Sequence, residues 1–151
     1  MKKYKGLISW SGTAFEYLMP NINIPRYKGT LLDESSKFAI MSQIEYAKRI
    51  GTPWGISEAA FNLKDLNSNY QYKAFGIPWL GLKRGLEDEM VISPYGTFLS
   101  LEDRPEDSIE NLNIEQVLKE LGFNKEEMSN LLNSIKNGFS ILANTQVMVS
   151  L

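Results

Sequence analysis

The sequence predicts a mainly α-helical domain, and three observations support that fold class. The stretch from Thr30 to Gly51 repeats apolar residues at three- and four-residue steps. Two shorter stretches, after Asn113 and after Asn124, show the same periodicity. A glycine that suits a helix C-terminus follows each of the three stretches. The length of 151 residues fits one modest domain or part of a larger one.

Two helices are predicted in the first third of the chain. The first runs from Thr13 to Met19, and Pro20 is expected to end it because proline cannot continue a helix. The second runs from Thr30 to Gly51, where the glycine suits a left-handed cap and Pro53 prevents continuation. Its first turn carries two acids that complement the helix dipole, Asp33 and Glu34.

The segment from Pro53 to Gly85 is rich in glycine, proline, asparagine and aromatic residues, with no sustained period of 2 or 3.6. It is predicted to be a long loop, and a loop of this length inside a compact domain is expected to carry function. A further helix is predicted to follow Pro94 through Leu101, because proline suits the first helical turn.

Two short amphipathic helices are predicted towards the C-terminus. Their bounds follow from two capping pairs and two glycines, namely Asn113 with Gln116 before Gly122 and Asn124 with Glu127 before Gly138. The last stretch, residues 139–151, alternates apolar and polar residues only loosely. Its pattern leaves three structures open: a strand, a continued helix or a frayed tail.

The composition excludes several classes of chemistry. Sixteen basic and eighteen acidic residues give a net charge of −2, which does not favour nucleic acid as a partner. The chain has no cysteine and no histidine, which excludes disulfides, thiolate metal sites and histidine bases. Proton transfer must therefore rely on carboxylates, and neither a cofactor nor a metal ion is expected, since paired carboxylates can supply acid and base catalysis by themselves.

The basic start of the sequence, Met-Lys-Lys-Tyr-Lys-Gly, is not followed by the apolar run of a signal peptide. No uninterrupted apolar stretch approaches the ~20 residues of a membrane span. The sequence as it stands is therefore expected to be soluble and cytoplasmic.

Two segments have the composition of a sugar-binding cleft: Ser9 to Tyr17 and Thr52 to Asn62. Each places one carboxylate, Glu16 or Glu58, among aromatic, hydroxyl or amide side chains. Aromatic faces stack on pyranose rings, hydroxyls and amides bind sugar hydroxyls, and acids act on the glycosidic oxygen. The two segments therefore predict a carbohydrate-active protein.

Each candidate residue also has a structural interpretation. Glu58 follows Ser57 and has the pattern of a first-turn acid in a short helix that Ser57 caps. Glu16 is either a structural hydrogen-bonding acid or a partly buried general acid with a raised pKa. The aromatic residues either stack on glucosyl rings or fill the core, and Trp79 is expected in the core.

Several motifs follow one another in a recognisable order and spacing. They are Ser9-Trp10-Ser11-Gly12-Thr13, Phe15 to Pro20, Gln43-Ile44-Glu45-Tyr46, Pro53 to Glu58, Tyr70-Gln71-Tyr72, Phe75-Gly76, Gly81 to Gly85 and Pro94-Tyr95. Their order and spacing resemble one family, the glucoamylase-like domain of cyclic β-1,2-glucan synthases. The resemblance covers roughly residues 9–111.

This resemblance implies an (α/α)6 barrel of paired helices that acts on β-1,2-linked glucan by hydrolysis or by transglycosylation. Glu16 and Glu58 are the expected catalytic pair, facing one groove. The expected substrate-binding residues are aromatic or amide side chains of the motif segments: Trp10, Trp54, Asn62, Tyr70 and Tyr72.

The chain departs from the family pattern at both ends, so we expect a partial barrel over residues 1–112 and a divergent helical tail over residues 113–151. A later Tyr-Glu motif of the family is missing, which predicts weak or no activity of the chain alone. The alternatives are a catalytically inactive remnant that binds glucan and a helical interaction module. The expected partners are a glucan oligosaccharide or polysaccharide, together with a second copy of the chain or a complementing chain.

Overall fold

Helices predominate in the structure, as the sequence predicts. The computed structural model describes residues 4–120 and 122–148, which form two compact units that divide between Gly96 and Thr97. The helices are α1 (Ala14–Leu18), α2 (Pro20–Asn23), α3 (Leu31–Ile50), α4 (Pro94–Phe98), α5 (Pro105–Asn111), α6 (Ile114–Glu120) and α7 (Lys125–Met148). Two strands, β1 (Ala59–Lys64) and β2 (Tyr70–Lys73), form an antiparallel hairpin. The predicted boundary between residues 112 and 113 stays a prediction.

Helix α3 begins and ends as its local signals predict. The side chain of Thr30 accepts a hydrogen bond from the Asp33 amide, and Gly51 adopts a left-handed conformation with φ of 74°. The Gly51 amide donates to the Ala47 carbonyl at 2.8 Å, which closes the last turn. The buried side chains of α3 include Ala39, Ile40, Ile44 and Ala47. The face of α3 that carries them therefore contributes much of the first unit's core.

Asp33, one of the two predicted first-turn acids, is buried and surrounded by donors. Its Oδ2 accepts from the Gly29 amide at 2.7 Å and from Lys37 Nζ at 2.6 Å, and Arg26 Nε lies 3.7 Å from Oδ1. Burial alone would raise the pKa of Asp33, but these hydrogen bonds and positive charges together hold it below its ordinary value. The carboxylate therefore ties the loop before α3 to its first turn.

Helix α1 begins with a capping box. Thr13 Oγ1 accepts from the Glu16 amide at 3.1 Å, and the Glu16 carboxylate accepts from the Thr13 amide at 3.3 Å. Pro20 does end this helix, but it also occupies the first position of α2. Proline lacks the N–H that a continuing helix needs, whereas its fixed φ suits a first turn.

The prediction of an uninterrupted loop between Pro53 and Gly85 is wrong. Strands β1 and β2 lie inside it, with pairs such as Ala60–Tyr72 and an irregularity between Phe61 and Lys64. Phe61 packs edge-to-face on Phe75 at 5.3 Å between ring centroids, which anchors one face of the hairpin. Because the register is irregular there, half-buried and exposed side chains do not keep alternating along β1. This alternation is the pattern by which a strand is predicted from sequence.

Two segments of the first unit approach so closely that glycine is required. The Ile77 amide donates to the Gly12 carbonyl at 3.0 Å, and Ser9 pairs with Gly81 in a parallel bridge. A Cβ atom at Gly76 would overlap the Ser11 carbonyl oxygen. A side chain at this position would therefore push the two segments apart.

Trp79 departs from its predicted place in the core. Its side chain is 37% exposed, and its ring meets Tyr46 edge-to-face at 5.3 Å between centroids. The neighbouring Ile77 and Leu80 are fully buried instead. The turn at residues 77–80 thus directs aliphatic side chains inwards and keeps the indole at the surface.

The second unit contains one helix that the sequence did not reveal and one that is longer than predicted. Helix α5 begins at Pro105, and its first turn carries an ion pair in which Arg104 Nε lies 2.6 Å from Asp107 Oδ2. Helix α7 begins with reciprocal bonds between Asn124 and Glu127, as predicted. It does not stop at Gly138, however, and continues to Met148.

A single glycine costs only about 1 kcal/mol inside a helix, which explains why α7 passes through residue 138. The continued helix is thus the correct choice among the three left open for the tail, and residues 149–151 lie outside the described residues. Asn113 has a positive φ of 51°, and its side chain bonds Gln116 Oε1 rather than a main-chain amide, so this predicted cap differs in detail. Over the described ranges, no helix combines the length and the apolar character needed to cross a bilayer.

Candidate active site

The segment that carries Glu58 is held against α3 by one buried amide. Gln43 Nε2 donates to the Ile56 carbonyl at 2.8 Å, while Gln43 Oε1 accepts from the amides of Gly55 and Ile56 at 3.3 and 2.9 Å. Gln43 is almost fully buried, so these bonds form away from solvent. A buried amide whose donor and acceptor are both satisfied in this way places the main chain accurately.

The next residues are bound from two further elements. Ser57 Oγ accepts from the Phe15 amide at 2.9 Å, which joins the segment to the start of α1. The Tyr95 hydroxyl lies 2.7 Å from Ser57 Oγ and donates to the Glu58 carbonyl at 2.8 Å. Glu58 lies directly before β1 and does not open a helix. The interpretation of Ser57 as a helix cap is therefore wrong.

The carboxylate of Glu58 meets the side chain of Tyr72 from β2. The Tyr72 hydroxyl donates to Glu58 Oε2 at 2.7 Å. Both residues line a groove of about 550 Å³. The other lining residues are mostly apolar or aromatic: Phe15, Met19, Ala59, Ala60, Val91, Ile92, Ser93, Pro94 and Tyr95.

Glu58 shifts the acidity of both tyrosines beside it. The hydrogen bond to the Glu58 carboxylate, together with its negative charge, raises the pKa of Tyr72 from 10.0 to about 12. Burial is the main cause that raises the pKa of Tyr95, and the charge of Glu58 adds to it. Both phenols are therefore protonated at neutral pH and can donate hydrogen bonds.

The other predicted catalytic acid, Glu16, has a different environment. Its carboxylate accepts from Ser9 Oγ at 2.7 Å, from the Ser11 amide at 3.1 Å and from the Thr13 amide at 3.3 Å. Neither Glu16 nor Trp54 is among the described residues that line the groove. The structure thus brings Glu58 and Tyr72 together, while Glu16 makes the contacts of a structural cap.

The predicted sugar-binding residues are spread over different environments. Trp54 is buried, with 7% of its surface exposed, which favours a place in the core over stacking on a sugar. Trp10 is 65% exposed, but its segment pairs with residues 80–83 and it does not line the groove. Asn62 is exposed in the irregular part of β1, and Tyr70 is exposed on β2 near Tyr72.

Sequence reasoning missed the residues that position Glu58. Gln43 and Tyr95 both lie in motifs of the family resemblance, yet their bonds to residues 55–58 join positions 12 to 38 residues apart. No local periodicity reports such pairs. A polar residue at a position where the α3 pattern requires burial is the one signal that could have identified Gln43.

This arrangement can bind and polarise a polar ligand. An acidic side chain and two phenols converge on a groove with otherwise mostly apolar walls, as in many small-molecule sites. Within residues 4–120 and 122–148, no group of three or more acidic side chains has the arrangement of a metal site. The arrangement can donate and accept hydrogen bonds, and a carboxyl group such as that of Glu58 has the chemistry to transfer a proton.

Comparison with known proteins agrees with the resemblance that the motifs indicate. The family model Glycoamylase, described as "Putative glucoamylase", matches residues 1–133. The chain is also 47% identical over 106 residues to the cyclic beta-(1,2)-glucan synthase NdvB of Rhizobium meliloti (strain 1021). This match covers 70% of the chain but only 4% of the synthase. The chain belongs to the Glycoamylase family.

Proposed function

We propose that the chain is a carbohydrate-active domain of the glycoside hydrolase or transglycosidase type that acts on β-1,2-linked glucan. The observation that carries this proposal is the position of Glu58, whose carboxylate bonds Tyr72 in the groove while Tyr95 holds its main chain. The family match and the name of the similar synthase supply the substrate class.

Glu58 is the residue we assign to proton transfer. Enzymes that cleave glycosidic bonds use a carboxyl group to protonate the leaving oxygen or to activate the attacking group. Tyr72 fixes the direction of the Glu58 carboxylate, and Tyr95 and Ser57 fix its main chain. The apolar part of the groove wall fits the C–H faces of a glucosyl ring, and it is formed by Phe15, Met19, Val91, Ile92 and Pro94.

We also propose that the helices belong to an (α/α)6 barrel of which this chain supplies one part. The family resemblance supports this architecture, as does the packing of α1 on α3 in the first unit. In that architecture the hairpin and the loops around Glu58 would lie at one end of the helices. A crystal structure of the chain bound to glucan tests the arrangement directly.

One observation favours a second candidate function, namely binding of glucan without turnover. Of the described residues that line the groove, only Glu58 carries a carboxylate, whereas glycosidases commonly use two. Glu16 is engaged in the cap of α1. Turnover would then require that a second copy of the chain, or a complementing chain, supply the second carboxylate.

The test combines binding and turnover on the same samples. We would titrate β-1,2-linked gluco-oligosaccharides into the chain by calorimetry and separate the products by size after incubation. If the chain is an enzyme, Glu58→Gln should lower turnover by several orders of magnitude. The variant keeps a hydrogen-bond acceptor for Tyr72, so its affinity for the oligosaccharide should stay within about threefold of the unmodified chain. Light scattering on the same sample reports whether a second copy contributes.

The matched control is Glu45→Gln, which neutralises an exposed acid on α3 away from the groove. It should leave both affinity and turnover unchanged. Binding without products in the unmodified chain selects the second candidate function. Absence of binding to every oligosaccharide overturns both.

A further inference from the structure

The hairpin places a second exposed tyrosine beside the one that bonds Glu58. Tyr70 and Tyr72 are separated by one residue on β2, so their side chains lie on the same face of the strand. They are 57% and 65% exposed. Cross-strand pairing adds Lys64 opposite Tyr70 and Ala60 opposite Tyr72 to this surface, which we call the hairpin face.

The side of the hairpin opposite Tyr70 and Tyr72 packs against other residues of the first unit. Phe61 and Phe75 pack edge-to-face there, and Lys73 forms an ion pair with Glu89. The position of the hairpin face is thus determined by packing from behind. Its exposed tyrosines are held on a supported strand rather than on a free loop.

The rings on the hairpin face are themselves braced. Lys64 Nζ lies 4.8 Å from the centroid of the Tyr70 ring, a cation–π contact. The Tyr72 hydroxyl is held by Glu58. Rings that are already ordered lose little conformational freedom on binding, which favours their use as stacking surfaces.

The hairpin face continues the groove. Ala60 and Tyr72 belong to both, and the rise of a strand separates Tyr70 from Tyr72 by about 7 Å along β2. That separation is of the order of one glucosyl residue. A chain of linked sugars that leaves Glu58 along β2 therefore meets the Tyr70 ring next.

We propose that Tyr70 and Tyr72 form a two-ring stacking platform that binds additional glucosyl residues of an oligosaccharide whose end lies at Glu58. This inference rests on the proposed function and adds a subsite outside the groove. Its occupant is a β-1,2-linked gluco-oligosaccharide longer than a disaccharide. The platform acts by stacking, because each ring offers a flat apolar face, while the Lys64 ammonium can donate to sugar hydroxyls.

The test measures affinity as a function of ligand length by calorimetry, using the β-1,2-linked disaccharide and pentasaccharide of glucose. For the unmodified chain we expect the pentasaccharide to bind about tenfold more tightly. Tyr70→Ala should remove most of that gain and leave the disaccharide unaffected. Tyr70→Phe keeps the ring and should retain the gain, which shows that stacking and not a lost fold is measured.

Tyr27→Ala provides the matched control, because Tyr27 is an exposed tyrosine of the same unit outside the hairpin. It should change neither affinity. If Tyr70→Ala leaves both affinities unchanged, or weakens both ligands equally, the platform is overturned while the proposed function stands. If the unmodified chain binds neither ligand, both proposals are overturned.

Discussion

The hydroxyl of Tyr72 donates a 2.7 Å hydrogen bond to Oε2 of Glu58, and this bond joins β2 to the residue that precedes β1. The pairing of Ala60 with Tyr72 brings the two side chains within reach. Because Tyr95 binds the Glu58 carbonyl from another segment, both the main chain and the side chain of this acid are held.

The first prediction concerns the titration of Tyr72. Its hydrogen bond to Glu58 raises its pKa from 10.0 to about 12, so the protonated phenol stabilises the fold. That stabilisation is complete below about pH 10 and is lost as the pH rises through about 12. The difference in tyrosinate absorbance between the unmodified chain and Tyr72→Phe should therefore have its midpoint near 12.

Glu58→Ala is the control for this titration, because it removes both the hydrogen-bond acceptor and the charge and should return the midpoint towards 10. A midpoint near 10 in the unmodified chain would show that the Tyr72–Glu58 bond does not form in solution.

The second prediction concerns Gln43. Replacing it with leucine keeps a similar volume but leaves the amides of Gly55 and Ile56 and the Ile56 carbonyl without their buried partner. We expect the free energy of unfolding to fall by about 2–4 kcal/mol, measured by denaturant titration. The same change at Gln71, which lies on β2, should cost less than about 0.5 kcal/mol. Equal effects at the two positions would contradict the positioning role of Gln43.

The third prediction concerns Gly76. A methyl group there would overlap the Ser11 carbonyl, so Gly76→Ala should lower the free energy of unfolding by about 3 kcal/mol or more. Gly29→Ala is the matched control, because a Cβ at Gly29 has free space and only its positive φ of 77° opposes the change. We expect a loss of about 1 kcal/mol at Gly29. A Gly76 variant as stable as the Gly29 variant would show that the two segments are less closely packed.

The fourth prediction separates the two interpretations of Glu16. If its carboxylate serves the cap, Glu16→Ala should lower the free energy of unfolding by about 1–3 kcal/mol and leave the affinity for glucan unchanged. Glu45→Ala, at an exposed position of α3, should change stability by less than about 0.5 kcal/mol. A Glu16 variant of full stability that has lost turnover would instead support the catalytic interpretation.

Several parts of the fold could be predicted because their determinants are local. The bounds of α3 follow from Thr30, Gly51 and Pro53, all of which lie within a few residues of the helix ends. The reciprocal bonds of Asn124 with Glu127 join residues only three positions apart. Such contacts form within one turn, so a sequence pattern is enough to find them.

The predictions that failed relied on weak preferences or needed information that is not local in the sequence. The stop predicted at Gly138 relied on propensity alone, and propensity is a weak preference that neighbouring helical residues overcome. The exposure of Trp79 and the burial of Trp54 depend on which side of the main chain faces the core. For residues outside regular elements, no periodicity predicts that choice.

By itself, the sequence determined the helical class, the ends of α3, the capping of α7 and the family, because short-range contacts and ordered motifs carry that information. Only the tertiary structure decided which acid lies in the groove. Glu16 and Glu58 have similar surroundings in the sequence, but Tyr72 and Tyr95 bind Glu58 from 14 and 37 positions further along the chain. Gln43 binds the preceding residues, Gly55 and Ile56, from 12 and 13 positions earlier. Contacts at such separations form only when the chain folds, because folding has to overcome the entropy of closing the loops between them.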